Sequence, residues 1–238
     1  MTTGTRRRMT VEERRRQLVG VALELFSRRA PDQVSLEEIA AAAGISRPLV
    51  YHYFPGKLSL YEAAVRRAAQ DLTERFAEPR QGPLGDRLLR VMRRFFDFAD
   101  AHGPGLSTLL RGVAGVTGPD GSGAAMVDSV VAAVRRAAYE QVLLHLQVAE
   151  PPPRLDLVIR SWIALVESTT LLWLDERRMA RAEVERQLVH DFGALVVVAA
   201  AHDEEMARLV ERLFADEPTD GVFGELAGRV AALVPTAS

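Results

Sequence analysis

The stretch SLEEIAAAAGISRPLVYHYFPGK, residues 35–57, decides the fold. Ser35 followed by Glu38 is a capping box: a serine hydroxyl and a glutamate carboxylate close the first free amides of a helix reciprocally. It opens a short helix, 35–43, with Leu36, Ile39 and Ala40 facing inward. Gly44-Ile45-Ser46 supplies the turn. Ser46 is placed to cap a third helix, 46–54, with Arg47 and Pro48 in its first turn, where proline costs nothing because the amide it lacks has no partner there. Two short helices with a three-residue glycine turn have the size and punctuation of a helix-turn-helix. In the second of them Val50 and Phe54 lie four apart and share the inward face. Arg47, Leu49, Tyr51, His52 and Tyr53 are left for the other sides. Pro55-Gly56 ends the helix, and Lys57 starts the next one in a good position to grip a phosphate.

The rest of the chain continues in helices. Thr10 and Glu13 form another capping box, opening a helix to about Arg29 with Leu18, Ala22, Leu25 and Phe26 as its apolar stripe. A long helix is expected from Lys57 to about Glu78, and Pro79 to Gly85 is a linker. Further helices are expected at 85–102, 104–115, 123–149, 154–178, 180–202, 203–215 and 221–234. Gly103-Pro104, the loop Gly118 to Gly123, Pro151 to Pro153 and Glu217-Pro218 separate them. Strand-like alternation is absent, so the expectation is an all-α protein.

Composition bounds the function. The 238-residue chain is long enough to bury a sizeable core. It has no cysteine, which excludes disulfides, thiol catalysis and cysteine-based zinc sites. No apolar run is expected to reach membrane-spanning length; the longest candidate, Gly193 to Ala201, is too short. No signal-peptide pattern opens the sequence, so a cytoplasmic location is the expectation. The net charge of −2 hides an asymmetry. Residues 1–60 carry ten basic and six acidic side chains, so this end is positive and the remainder negative. That split suits one end facing nucleic acid. The five histidines, His52, His102, His145, His190 and His202, show no H-E-x-x-H spacing, and no nucleophile elbow or phosphate loop is present. The sequence therefore gives no catalytic residue, no metal site and no cofactor site.

The stretch RRQLVGVALELFSRRAPDQVSLEEIAAAAGISRPLVYHYFPGKLSLYEAAV, residues 15–65, resembles the DNA-binding signature of the TetR family of transcriptional regulators. Leu18, Ala22, Phe26, Ile39, Ala40, Gly44, Ser46, Val50, Tyr51, Phe54, Lys57 and Leu60 fall on family positions. Three places depart from it: Ala30-Pro31 replaces a usual glycine, Tyr53 stands where histidine is common, and Gly56 where a polar cap is common. The resemblance implies a helix-turn-helix domain, residues 1–56, and a C-terminal domain, 57–238, that dimerises and senses a small molecule. The partners it implies are double-stranded operator DNA with a palindromic site, a second copy of the chain, and a small hydrophobic or aromatic effector that releases the repressor. The alternative is a DNA-binding dimer that is constitutive or controlled by a protein partner.

Chemistry assigns candidate roles on that basis. Tyr51, Tyr53, Lys57 and Ser35 are phosphate-contact candidates. Arg47 suits guanine, Leu49 a thymine methyl, and His52 a base or phosphate. Ser46 and Pro48 at the helix start complete the DNA set, and Arg6, Arg7 and Arg8 are candidates for an arm along the DNA. Expected pocket residues are Met92, Phe95, Phe96, Leu110, Met126 and Tyr139, together with Trp162, Val166 and Trp173. Glu167 and Thr170 are the first candidates for its polar contacts, with Thr169, His102 and His145 behind them. The dimer interface is expected along Leu155 and Ile159 in one helix and along Val184, Leu188, Phe192, Leu195, Val196 and Ala199 in the next. The long helix starting at Lys57 is the expected lever joining the two parts.

Overall fold

The computed structural model describes residues 9–111 and 122–233. Its elements are α1 (Val11–Arg28), a 3-10 turn (Pro31–Gln33), α2 (Leu36–Ala42), α3 (Arg47–Tyr53), α4 (Lys57–Phe76) and α5 (Leu84–Leu110). They continue as α6 (Ser122–Leu146), α7 (Pro153–Glu176), α8 (Arg181–Ala200), α9 (Glu204–Phe214) and α10 (Val222–Leu233). The described residues contain no strand, as an all-α reading requires. The chain divides into two compact units. One comprises residues 1–70 and 102–131; the other comprises 71–101 and 132–238.

In the first unit both expected capping boxes form, at Thr10–Glu13 and Ser35–Glu38. Ser46 does take the N-cap position of α3, but its hydroxyl makes no capping bond. Proline in the first turn removes one of the amides that such a bond would serve. Gly44 has φ +66°, the left-handed turn between α2 and α3 that a side chain would strain. Where the family has glycine, Ala30-Pro31 leads into the 3-10 turn, closed by the Gln33 amide donating to the Ala30 carbonyl at 3.0 Å. The core gathers Leu18, Ala22 and Phe26 of α1, Leu36 and Ile39 of α2, Val50 and Phe54, and Leu60 and Tyr61 of α4. Phe26 meets Tyr61 edge to face at 5.1 Å. Burial pushes the Tyr61 phenol up to about 12. The last third of α5 belongs to this unit. Gly105 lets it approach α1: a Cβ there would sit 2.9 Å from the Phe26 carbonyl. Ser27 donates its proton to the Leu23 carbonyl at 2.7 Å, so His102 Nδ1, 2.5 Å from the same hydroxyl, is the donor to it.

The expected break at Gly103-Pro104 is a kink, not a gap. Residue 102 leaves helical geometry (φ −123°, ψ 19°) and α5 resumes with Pro104 inside it. A proline in a helix distorts the turn before it while the following residues still fit the helical path. This kink coincides with the boundary between the two units, whereas α4 crosses its boundary, between Gln70 and Asp71, as continuous helix. Most of the loop expected at 118–123 lies outside the described residues.

In the second unit α7 and α8 pack against each other, and α9 and α10 both pack on α8. Here the structure corrects where the stripe expected at the dimer interface lies within the chain. Leu155, Ile159, Leu188, Phe192 and Val196 are wholly buried within one protomer, Val184 and Ala199 nearly so, and Leu195 half-buried. Each fully buried side chain of this kind stabilises the fold by about 1.5–3 kcal/mol, and that area cannot also serve a partner. A different face is open. Leu157, Leu165 and Leu172 of α7 and Val197 and Val198 of α8 are exposed, with Ser161, Ala164 and Ser168, and Ala194 and Ala201, beside them.

A second correction concerns membrane-spanning length, since α7 is long and apolar enough to cross a bilayer by length and composition. It carries Asp156 and Arg160 as an ion pair, and its Glu167 holds Arg135 of α6 bidentately, at 2.7–3.1 Å. Its buried stripe packs on α8, and its opposite face is open.

Candidate nucleic-acid interface

Two buried anchors fix the orientation of α3. Val50 is inaccessible and Phe54 nearly so. With one face of a two-turn helix committed, the others must face outward, and Ser46, Arg47, Pro48, Leu49, Tyr51 and His52 are all exposed. Tyr53 is half-buried: its ring packs on the core and meets His52 edge to face at 5.1 Å. It is thus less available to a phosphate than Tyr51.

The exposed groups are partly pre-set. Arg47 Nη1 lies 2.5 Å from a Glu37 carboxylate oxygen, and Nη2 donates to the Tyr51 hydroxyl at 3.2 Å. The Tyr51 bond and the Glu37 charge hold the guanidinium above its usual range. Because Tyr51 accepts from Arg47, its own proton remains to donate, which a phosphate oxygen can take. Arg47 keeps further N–H groups for the edge of a base. Lys57, half-buried, donates to the Asp32 carbonyl at 3.3 Å, which parks its ammonium beside the 3-10 turn with two protons to spare. Ser35 is half-buried, and both its amide and its hydroxyl oxygen are spent on Glu38. Only its hydroxyl proton is left for an outside acceptor. Arg6, Arg7 and Arg8 lie outside the described residues.

Two residues that the sequence reading missed belong to this surface. Arg15 of α1 donates to the Tyr53 carbonyl at 2.5 Å and stacks over Phe54, 4.4 Å from the ring centre, so it closes the C-terminal end of α3. Glu37 steadies Arg47 from α2. Both are solvent-facing by helical periodicity, and no local pattern marks their partners. Gln17 adds a third tie, donating to the Ala43 carbonyl at 3.3 Å.

The expected pocket residues fall in both units. In the first, Leu110 and Met126 are half-buried, and Met126 packs on the core around Phe26 and Tyr61. In the second, Met92, Phe95, Phe96, Trp162, Val166 and Trp173 are buried and find their partners inside the protein. Trp162 donates to the Leu188 carbonyl at 2.7 Å, and Trp173 to the Met179 carbonyl at 3.1 Å. Phe96 meets Trp173 edge to face, at 5.2 Å. Thr170 spends its hydroxyl on the Val166 carbonyl at 2.7 Å, Glu167 holds Arg135, and the Tyr139 hydroxyl donates to Asp156 at 2.6 Å. As placed, these side chains are core and surface pairs.

Comparison with known proteins agrees with both parts of the chain. Residues 18–64 match the family of bacterial regulatory proteins of the tetR type, and residues 84–195 match the tetracyclin repressor-like C-terminal domain. A crystal structure of a TetR-family transcriptional regulator from Streptomyces coelicolor is 66% identical. The match covers 94% of this chain and 99% of that one, with a TM-score of 0.88. The transcriptional activator FasR of Mycolicibacterium smegmatis is 34% identical over 106 residues, 43% of this chain and 48% of that protein. The nucleoid occlusion factor SlmA of Haemophilus influenzae is 29% identical over 106 residues, with the same two coverages. The chain spans about half the length of these curated relatives. With the outward face of α3 and both family matches on the page, the chain belongs to the TetR family of DNA-binding transcriptional regulators.

Proposed function

We propose that this regulator is a cytoplasmic homodimeric repressor that holds a palindromic operator and is released from it by a small-molecule effector. Residues 1–56 are the DNA-reading part in this proposal, and residues 57–238 the dimerising and sensing part. One observation carries it: α3 buries Val50 and Phe54 and turns Arg47, Leu49, Tyr51 and His52 outward together. Arg47 reads a guanine, Leu49 meets a thymine methyl, and Tyr51 and Lys57 hold phosphates on either side. Two such helices fit a palindrome when they enter successive major grooves about 34–36 Å apart. The second copy is held by the open face of α7 and α8, where small residues let helices approach and Leu157, Leu165, Leu172, Val197 and Val198 supply the apolar area. That face replaces the one expected from the sequence.

The test is footprinting of the purified protein on the DNA upstream of its own and adjacent genes. The proposal expects a protected palindrome and higher expression of the flanking genes on deletion. Lower expression on deletion refutes repression, and an activator role like the one FasR's name states takes its place. The absence of any protected site at low salt refutes the DNA reading.

A second reading is a DNA-binding dimer with no small-molecule effector. The internal partners of Trp162, Trp173, Thr170 and Glu167 favour it, because these residues were the expected pocket. A thermal-shift screen of hydrophobic and aromatic compounds separates the two: stabilisation together with operator release supports the sensor, and a flat response supports the second reading.

A further inference from the structure

The described residues leave three buried side-chain polar atoms without a partner, and all three lie around the first turn of α5. They are Arg87 Nε, His145 Nε2 and Glu217 Oε2. Arg87 is 8% exposed and His145 2%. The guanidinium has two long contacts, Nη1 to His145 Nδ1 and Nη1 to the His145 carbonyl, both 3.4 Å. Among the described residues no carboxylate comes within ion-pair distance of it, and the Glu217 and Glu78 charges act on it only from farther off. A buried charge normally has its counter-ion, since removing it from water is otherwise uncompensated.

The hydrogen bonds fix the chemistry of these atoms. A guanidinium only donates, so His145 Nδ1 accepts and its proton sits on Nε2. The two orphaned nitrogens are therefore both N–H donors. Burial, followed by the nearby Arg87 charge, depresses the His145 imidazole, which keeps it in this neutral form. Two backbone donors stand nearby, the Leu84 and Gly85 amides at the start of α5, and both are held by Glu217 Oε1, that of Gly85 at 3.2 Å. Glu217 comes from the α9–α10 connection, outside the residues that the C-terminal family model matches. One of its oxygens is thus satisfied by the helix start and the other by nothing. Four donor groups, one of them a cation, thus gather about the first turn of α5, where Glu217 holds the two amides while burial, with Asp86 nearby, pushes its own carboxyl up. Such a set is built for an oxyanion.

We propose that the α5 N-terminus, Arg87 and His145 form a binding site for the carboxylate or phosphate group of an acidic small molecule, and that Glu217 is the resident carboxylate this group displaces. The site deepens the effector reading by giving the effector an acidic head group, but its test needs no DNA. The ligand takes the Leu84 and Gly85 amides from Glu217 and adds Arg87 Nε–H and His145 Nε2–H. Its arrival frees the α9–α10 connection from the start of α5.

Thermal unfolding of the full chain at fixed ionic strength tests this, with sodium acetate and sodium phosphate as probes and sodium chloride as the control. Glu217→Ala should lower the Tm, because α5 loses its cap. Acetate or phosphate should restore it by about 3 °C or more at ten times the Kd. The wild type should need at least about tenfold more of the same anion, because its own carboxylate competes. The response should vanish in Glu217→Ala/Arg87→Met. Acetate acting alone assigns the site to carboxylates, and phosphate acting alone to phosphates. If Glu217→Ala does not fold, Glu217→Gln serves, since its amide oxygen still caps α5 while the charge is gone. No anion-specific shift in any variant, or an equal shift with and without Arg87, overturns the proposal. A site that binds anions while operator binding stays unchanged leaves the site standing and removes its link to DNA release.

Discussion

The outward face of α3 and the apolar stripes of α7 and α8 were read from the same kind of pattern, with different success. In α3 the helix is two turns long and two anchors, Val50 and Phe54, settle its orientation; the rest must be surface. In α7 apolar residues occupy two faces. One runs through Leu155, Ile159, Trp162 and Val166, the other through Leu157, Leu165 and Leu172. Periodicity finds both faces but cannot say which belongs to the protomer and which to a partner. The larger stripe, which the sequence reading gave to the dimer, is core. A short helix with a minimal anchor set is more legible than a long one with apolar residues to spare.

Core and interface substitutions in α7 and α8 break this comparison most sharply. Leu188→Ala should cost about 2–5 kcal/mol of unfolding free energy, read by urea denaturation, because it opens a cavity in the protomer. Leu172→Glu should leave the protomer folded yet shift sedimentation from dimer to monomer and cut operator affinity at least about a hundredfold. The reverse result, a monomer from Leu188→Ala and an unchanged dimer from Leu172→Glu, would return the interface to the buried stripe. On α3, Arg47→Ala should lose about 1–3 kcal/mol of discrimination at one base pair, measured on operators substituted position by position. Loss of Glu37, as Glu37→Gln, should blunt the same position less and leave non-specific affinity equal or higher, since a negative charge leaves the DNA-facing surface. Lys57→Ala should weaken binding to all sequences and reduce the salt slope by about one unit.

The smallest expected effect is a pH dependence. His145 is held below its ordinary value of 6.5, first by burial and then by Arg87. Between 6.5 and that lower value the unfolded chain binds more protons than the folded one, so stability rises with pH across the window and is lost as pH falls through it. His145→Gln should flatten this dependence in thermal unfolding between pH 7 and 5. A slope that persists in the variant assigns it to another group.

Much of the first unit was legible because its signals are local. Capping boxes, the glycine turn and the first-turn proline each act within four residues, and all but the Ser46 cap formed as expected. Arg47's partner Glu37 and Arg15's hold on Tyr53 were not legible, because each reaches across the fold from a position that periodicity assigns to solvent. The cluster at Arg87 was invisible for the same reason. A lone arginine in the first turn of a helix, a histidine 58 residues on and a glutamate beyond α9 share no sequence pattern. The kink falls at His102, one residue before the expected break at Gly103-Pro104, since proline perturbs the turn before it while the helix goes on.

Lys57 is the sole lysine of the chain, and the structure seats it against the Asp32 carbonyl at the edge of the proposed DNA-facing surface. Apart from the terminal amine, a lysine-directed reagent therefore modifies one side chain per protomer. Attached there, an isotopic methyl or a small fluorophore becomes a single-position reporter of operator occupancy, obtained without altering the sequence.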